Sequence, residues 1–210
     1  MSAPTPDSDV VVYGGGQIYR KIQEIHGQSH AAKVIWGVGM VSYRRRWLER
    51  KNISRNFALV GCRDYGVRGT TYVPCVSCLN KGFDAPDPPK HDVVLYWHKR
   101  KSENLMIPEG IPSMNNEQDN MAATLAFIAS GDTVVTNSYH GTYWAMLLGR
   151  KVLCLPYNEK FKGFQEMPTL ASYQYWQGET KQARRAKPQF LQECRMKNQE
   201  FYEKVIKLTG

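Results

Sequence analysis

The sequence predicts an α/β fold with parallel sheets arranged in two lobes. Short apolar, β-branched runs alternate along the chain with segments of helical spacing, which is the pattern of strand–helix–strand units. Several of these runs end directly in glycine or polar residues, as strands do where open α/β sheets bind ligands. The proline-rich segment 85–90 interrupts the alternation. We therefore predict an N-terminal lobe over residues 1–84 and a C-terminal lobe over residues 85–210.

Four strands are predicted in the N-terminal lobe, at Val10–Tyr13, Val34–Trp36, Phe57–Val60 and Thr71–Val73. The first strand runs into three glycines, and a helix is expected to follow them. Such a turn lets a ligand approach the backbone and offers helix N-terminal N–H groups to an anion, so Gly15 and Gly16 are candidate binding residues. A tight turn without a ligand also explains the three glycines. Their spacing is neither that of a dinucleotide fingerprint nor that of a P-loop.

Arg63 follows the third predicted strand in the segment GCRDYG. A guanidinium group at a strand end can hold a carboxylate or a phosphate through two parallel hydrogen bonds. Alternatively, Arg63 pairs with the adjacent Asp64 and fixes the loop. Arg63 is therefore a candidate substrate-binding residue with a structural alternative.

The C-terminal lobe is predicted to contain three strands and two helices. The strands lie at Val93–Trp97, Thr133–Thr136 and Val152–Leu155, and the helices at 116–129 and 142–148. The segment that begins at Pro188 has an apolar helical face opposite its charged face. That face consists of Phe190, Cys194, Phe201, Val205 and Leu208. It indicates a packing helix, which we assign to the C-terminal lobe, with the alternative that it crosses back onto the first lobe.

The most informative motif is the polar turn NSYHG at residues 137–141, between a buried strand and a helix. A histidine at this place can reach a ligand and exchange a proton near neutral pH, so His140 is a candidate catalytic residue. The backbone amides that follow it can receive a phosphate or carboxylate at the start of the helix. Ser138, Gly141 and Thr142 are therefore candidate binding residues. A histidine in a structural role is the alternative.

A basic run, His98-Lys99-Arg100-Lys101, follows another predicted strand of the same lobe. It lies at the carboxyl edge of the predicted sheet, where it can bind an anion. A solvated run of charges explains it equally well. We take His98 and Lys99 as candidate binding residues.

The composition restricts the class of protein and of partner. The chain has 210 residues and a net charge of +9, which favours an anionic partner but matches no specific nucleic-acid motif. No apolar run has the length of a membrane span, and the N-terminus lacks the apolar core of a signal peptide, so a cytoplasmic protein is expected. Five cysteines favour reduced thiols. Cys75 and Cys78 form a CxxC without the further ligands that a zinc site needs, and we predict no metal.

The sequence resembles the polysaccharide pyruvyl transferases. The motif SYHG, the helix after it, GRKVLCLPY and NEKFKGF are similar to the second-domain signature of that family, and the segments that end in GGG, VIWGVGM and FALVGCRDYG are similar to its first domain. The resemblance implies a GT-B-like arrangement, with two Rossmann-like lobes that face a cleft. Because only nine residues precede Val10, the N-terminal lobe is expected to be a reduced one.

The resemblance also implies a reaction and its participants. Family members transfer a pyruvyl group from phosphoenolpyruvate to two hydroxyls of a sugar and form a ketal, with no separate cofactor. His140 is then the expected acid or base. Many members have an arginine where this chain has Tyr139, so another cation has to bind the donor carboxylate, and Lys160 joins Arg63, His98, Lys99 and Lys162 as a candidate. The acceptor sugar can be lipid-linked, which would place the protein at the inner face of the membrane. The protein can also form a homo-oligomer.

Two other functions are compatible with the sequence. One is a GT-B glycosyltransferase that uses a nucleotide sugar, although no acidic residues besides Glu159 and Glu166 lie where they could hold a ribose. The other is a non-catalytic protein that binds a polyanion or a carbohydrate, which the basic and aromatic composition allows. A polyanion-binding protein would show a steep salt dependence, whereas an enzyme for a small donor would bind that donor saturably.

Overall fold

A computed structural model of the chain describes residues 10–16, 32–39, 57–103 and 105–208. These residues form two compact units. The first unit contains the described residues as far as Ser77, Lys162–Gln165 and the chain from Glu193 onward; the second contains Cys78–Phe161 and Glu166–Gln192. The division thus follows Ser77, seven residues before the predicted one, and most of the C-terminal helix joins the first unit.

The first unit contains a four-stranded parallel sheet with the strand order β1–β2–β3–β4. The strands are β1 (Val10–Gly14), β2 (Ala32–Val38), β3 (Leu59–Cys62) and β4 (Thr71–Tyr72). All four predicted strands are confirmed, although β3 begins two residues later than predicted. The helix predicted after the three glycines lies outside the described residues.

Side chains of β2 point into two apolar clusters, and a register shift between Ile35 and Val38 interrupts the period-2 alternation of the strand. Ile35 and Val38 pack on one face with Phe57 and Cys62. Val34 packs on the other face with Val73 and with two buried side chains of the C-terminal helix, Phe201 and Val205.

The second unit contains a five-stranded parallel sheet with the order β6–β5–β7–β8–β9. The strands are β5 (His91–Trp97), β6 (Ser113–Asn115), β7 (Gly131–Thr136), β8 (Lys151–Cys154) and β9 (Thr169–Leu170). The central strands bury Leu95, Val135 and Leu153 in a cluster that also contains Trp176. The α/β class with parallel sheets is confirmed in both units. The edge strands β6 and β9 were not predicted, because neither has an apolar run.

Among the described residues, four α-helices accompany the sheets: α1 (Met121–Ala129), α2 (Tyr139–Leu147), α3 (Trp176–Glu179) and α4 (Phe190–Ile206). Helix α1 begins five residues later than predicted, because Asn120 caps it by accepting a hydrogen bond from Ala123 N at 3.1 Å. Helix α2 begins three residues earlier than predicted, because Ser138 is its cap. Four of the five predicted core residues of the C-terminal segment lie on α4 and are buried, whereas the fifth, Leu208, lies beyond the end of α4 and is 37% exposed.

Two bulk features of the described residues bear on the class of protein. None of the helices there combines the length and the apolar character that crossing a membrane requires. None of the five cysteines forms a disulfide, as predicted for reduced thiols; Cys75 is partly exposed and the other four are buried.

Candidate active site

The carboxyl ends of the second sheet bring polar residues from distant parts of the chain to one edge. Because the five strands are parallel, the residues that follow each of them lie at the same edge of the sheet. His98 follows β5, Asn137 follows β7, Tyr157 and Lys160 follow β8, and Tyr173 follows β9. This edge is therefore the candidate active site of the second unit.

Ser138 builds the turn that joins β7 to α2. Its Oγ accepts a hydrogen bond from Gly141 N at 3.3 Å, and its carbonyl oxygen accepts from Thr142 N at 2.9 Å and from Thr142 Oγ1 at 3.0 Å. Ser138 is 4% exposed and Thr142 is fully buried. The hydroxyl groups of Ser138 and Thr142 and the amides of residues 141 and 142 thus serve the helix cap. Contact of these residues with a substrate stays a prediction.

Gly141 allows the first turn of α2 to pack directly against the sheet. A Cβ atom at this position would lie 2.5 Å from Thr136 Oγ1 and 2.5 Å from Tyr96 Cδ1. Both neighbours belong to buried parts of strands β7 and β5, so no side chain larger than hydrogen fits without displacing them. The glycine of the motif therefore fixes how close His140 stands to the sheet edge.

His140 is partly exposed in the first turn of α2 and lies between aromatic rings. Its imidazole stacks on the indole of Trp144, with ring centres 5.3 Å apart and an angle of 22° between the planes. Tyr139 meets the same imidazole edge to face at 5.8 Å. Tyr139 is buried against Phe161, so its side chain is part of the core. The aromatic contacts hold the imidazole at the sheet edge while leaving part of it accessible.

Asn137 is fully buried and connects three segments of the site. Its Oδ1 accepts a hydrogen bond from His98 N at 2.7 Å. Its Nδ2 donates to the carbonyl oxygen of Lys101 at 3.1 Å, to Ser102 Oγ at 2.7 Å and to Tyr173 OH at 2.8 Å. The conformation of the chain over residues 98–102 is therefore set by the residue that follows β7. We call residues 98–102 the basic turn.

The cations of the basic turn have different surroundings. Lys99 Nζ lies 2.7 Å from Glu117 Oε2, and Arg100 Nε lies 3.7 Å from Glu117 Oε1. The hydrogen bond from Lys99 is the main reason that the pKa of Glu117 is lowered. Lys101 forms no ion pair with any carboxylate in the described part of the chain. The charge of Lys99 is thus balanced by an acid, whereas that of Lys101 is not.

A cavity of about 370 Å³ opens beside the basic turn. It is lined by Arg100, Lys101, Glu103, Tyr157 and Tyr173. Lys160 Nζ donates a hydrogen bond to Tyr157 OH and lies 4.4 Å from the centre of that ring. Two tyrosine rings and several cations therefore surround a space large enough for a small organic ligand.

His98 stands beside this cavity and is electrostatically coupled to its cations. Its ring meets Tyr157 edge to face at 5.9 Å. Burial lowers the pKa of His98 below its usual 6.5, and the charges of Lys160, Lys101 and Arg100 lower it further, against an opposing backbone hydrogen bond. The buried Nδ1 atom has no hydrogen-bond partner among the described residues. At pH 7 this imidazole is therefore mainly neutral, and it would contact an anion by a hydrogen bond rather than by its charge.

The candidate residues of the first lobe meet at the carboxyl edge of the first sheet. Gly15 and Gly16 have φ angles of 82° and 57°, which glycine adopts without strain. Gly16 O accepts a hydrogen bond from Gly39 N at 2.9 Å. Arg63 is only 4% exposed, and its guanidinium group lies so close to Gly39 that a Cβ atom there would be 2.7 Å from Arg63 Nε. Gly16 and Arg63, which follow β1 and β3, thus both lie against Gly39 at the end of β2, the strand between them. Contact of Gly15, Gly16 and Arg63 with a substrate stays a prediction.

Several residues of the site were not singled out from the sequence: Asn137, Lys101, Tyr157 and Tyr173. A signal existed for Asn137, because it is the first polar residue after a buried strand. Tyr173 carried none, since its position depends on β9, an edge strand with no apolar pattern. Tyr157 follows the predicted strand β8, but no local pattern marked it as a site residue.

The fold and the SYHG motif agree with a family assignment. The family model of the polysaccharide pyruvyl transferases matches residues 2–159, so the chain belongs to this family. It is therefore a member of a family of transferases that act on polysaccharides. No curated protein sequence and no solved structure matches the chain significantly.

Proposed function

We propose that this protein transfers the pyruvyl group of phosphoenolpyruvate to two hydroxyls of a sugar in a polysaccharide or its precursor. The family assignment supports a transferase for polysaccharides. The observation that carries the proposal is the cavity at the carboxyl edge of the second sheet, which has Arg100 and Lys101 in its lining and lies beside His98. A donor with a phosphate and a carboxylate suits such a place.

The proposed reaction needs two proton transfers. One sugar hydroxyl adds through its oxygen to C2 of the donor while C3 gains a proton and becomes a methyl group. The bond between C2 and the phosphate oxygen then breaks, and the second hydroxyl adds to C2 to close the ketal. One of the two hydroxyl protons thus ends on C3 and the other on the released phosphate, so the atoms and charges balance without an external oxidant or a separate cofactor.

His140 is the proposed acid or base for these steps. An imidazole exchanges protons near neutral pH, and that of His140 is held by Trp144 and Tyr139 without being fully buried. The remaining predicted contacts belong to the same proposal: Ser138, Gly141, Thr142, His98, Lys99 and Lys160 for the donor, and Gly15, Gly16 and Arg63 in the first lobe. Lys162 also remains a proposed donor contact. A lipid-linked acceptor, a place at the inner face of the membrane and a homo-oligomer are parts of the proposal too.

The variant His140→Ala tests the catalytic role. Release of phosphate from phosphoenolpyruvate is measured with a panel of oligosaccharides as acceptors, for the wild type, His140→Ala and the control His91→Ala. His91 is exposed at the amino end of β5, at the opposite edge of the same sheet. Turnover should fall at least a hundredfold in His140→Ala and stay unchanged in His91→Ala. Residual activity above about a tenth, a loss of only about 1.4 kcal/mol in the barrier, would contradict the role.

Donor binding is tested separately from turnover and needs no acceptor. A ligand that binds the native state raises the midpoint of thermal unfolding by mass action. Phosphoenolpyruvate should raise the midpoint of the wild type, and a panel of nucleotide sugars should not. A rise with one nucleotide sugar alone would instead indicate the glycosyltransferase reaction.

A further inference from the structure

Three cations from two separate segments converge beside one imidazole of the second unit. Arg100 and Lys101 belong to the basic turn after β5, and Lys160 lies in the turn after β8. After burial, the charges of Lys160, Lys101 and Arg100 each act to lower the pKa of His98. Glu103 is the one acid in the cavity lining, and it is exposed to solvent. Positive charge therefore exceeds negative charge around the cavity.

The structure distinguishes Lys101 from its neighbour Lys99. Glu117, from the segment after β6, holds Lys99 at 2.7 Å, outside the lining of the cavity. Lys101 belongs to the lining and has no carboxylate partner within the described ranges. A lysine that lines a cavity and has no carboxylate partner among the described residues favours the binding of an anion there.

The position of Lys101 is fixed through its backbone. Its carbonyl oxygen accepts hydrogen bonds from Asn137 Nδ2 at 3.1 Å and from Tyr173 OH at 3.3 Å. The carbonyl oxygen of His98 accepts from Ser102 Oγ at 2.7 Å and from Lys101 N at 2.9 Å, which closes the basic turn. A turn that is held in this way keeps the backbone of Lys101 beside the cavity before any ligand arrives, which reduces the backbone entropy lost on binding.

We propose that Lys101, together with Arg100 and Lys160, binds the phosphate group of a phosphate ester in the cavity beside Tyr157 and Tyr173. The inference rests on the proposed function where it identifies this ester as phosphoenolpyruvate. It deepens that function by assigning the donor phosphate to the basic turn and the turn after β8, and by selecting Lys101 over Lys99 as the principal cation.

The test measures the binding of inorganic phosphate and of phosphoenolpyruvate by titration calorimetry at constant ionic strength. The variants are Lys101→Met, Lys160→Met and the control Lys90→Met. Lys90 is an exposed lysine at the amino end of β5, so the control makes the same change in net charge at the opposite edge of the sheet. Loss of a charge-assisted hydrogen bond should weaken phosphate binding about tenfold or more in Lys101→Met, against less than twofold in Lys90→Met.

Folding of each variant is checked by its circular dichroism spectrum and its unfolding midpoint. Lys101→Met is expected to fold, because the turn is held by the backbone of Lys101 and not by its side chain. Lys160→Met should also weaken phosphate binding, and it provides a second probe from an independent segment. A variant Lys99→Met, whose charge is balanced by Glu117, should weaken binding less than Lys101→Met.

Each outcome decides between the subsite and the proposed reaction. If phosphate binding weakened equally in Lys90→Met and Lys101→Met, the proposed subsite would be wrong, because the result would show only a diffuse effect of charge. Normal binding of phosphoenolpyruvate to Lys101→Met and Lys160→Met would overturn the subsite while leaving the proposed function intact. Phosphate binding that depends on Lys101, without binding of phosphoenolpyruvate, would support the subsite and contradict the proposed donor. No binding of phosphate to the wild type at millimolar concentrations would overturn the subsite.

Discussion

The side chain of Asn137 is inaccessible to solvent, yet it determines the shape of a turn that precedes it by 35 to 39 residues. Both the oxygen and the nitrogen of its side-chain amide form hydrogen bonds. Neither aspartate nor leucine could therefore replace it without leaving buried polar groups unsatisfied. The sequence marks Asn137 only as a polar residue after a strand. Its partners follow from the sheet order, which places β5 beside β7 and brings Tyr173 from β9 to the same edge.

His98 is the residue whose ionisation reports on the site. Its pKa is lowered by burial first and by Lys160 next, so a nuclear magnetic resonance titration should give a value below 6.5. Lys160→Met removes the largest charge contribution and should raise the value, whereas Lys90→Met should leave it unchanged. Bound phosphate should raise it too, because an anion offsets the effect of Lys160, Lys101 and Arg100. A pKa of His98 that is not below 6.5, or one that does not change in Lys160→Met, would contradict this arrangement.

The lowered pKa of His98 also determines how the free energy of unfolding changes with pH. The pKa of His98 in the folded protein is lower than its value of about 6.5 in the unfolded chain. Below pH 6.5 the unfolded chain binds the proton more readily, so the free energy of unfolding falls as the pH falls from 6.5 through the folded pKa. At pH above 7 both states are neutral, and His98 then makes no contribution to the pH dependence.

At the scale of elements, α4 is the part of the chain whose location the sequence left open. Its apolar face follows from helical periodicity, but the choice of sheet depends on shape. Phe201 lies 5.1 Å from the ring of Trp36, and a Cβ atom at Gly61 would be 2.9 Å from Phe201 Cζ. Asn198 Oδ1 accepts a hydrogen bond from Trp36 Nε1 at 2.9 Å, and Asn198 Nδ2 donates one to Pro74 O at 3.2 Å. The glycine of β3 thus leaves room for the phenylalanine of α4.

Truncation of this contact should destabilise the first unit. Phe201→Ala removes a side chain that is 1% exposed and should lower the free energy of unfolding by about 3–5 kcal/mol. Met196→Ala, at a position on α4 that is 53% exposed, should change it by less than about 0.5 kcal/mol. Denaturant unfolding followed by circular dichroism measures both. Similar losses in the two variants would show that α4 does not pack by this face.

The elements that the sequence missed are those with weak local signals. Strands β6 and β9 have three and two residues, and their parallel pairing with β5 and β8 makes them visible only in the sheet. The start of α2 was misplaced because the polar residues Tyr139-His140-Gly141 read as a loop. They are helical because Ser138 supplies the cap, and Tyr139 and Gly141 are buried there against the core.

At the scale of the whole molecule, the net charge of +9 allows two kinds of anionic partner. A small donor in one cavity contacts few cations, whereas a polymer contacts many at once. Raising the salt concentration from about 50 to about 200 mM should therefore weaken the binding of phosphoenolpyruvate about tenfold or less. The same change should weaken the binding of a polyanion that contacts six or more cations about a thousandfold. Titrations at both concentrations with the donor and with an anionic polysaccharide measure this. Tight polymer binding without donor binding would support a non-catalytic binding protein.

The sequence by itself determined the α/β class, most of the strands and the family, because strand periodicity and the SYHG motif are local properties of the chain. Only the tertiary structure decided which cations act together. Lys99 and Lys101 lie two residues apart in the same basic run, but successive side chains of a 3₁₀ turn point about 120° apart. One lysine therefore meets Glu117 and the other lines the cavity. Glu117, Asn137, Lys160 and Tyr173 reach this place through the order of the parallel strands, which no local pattern encodes.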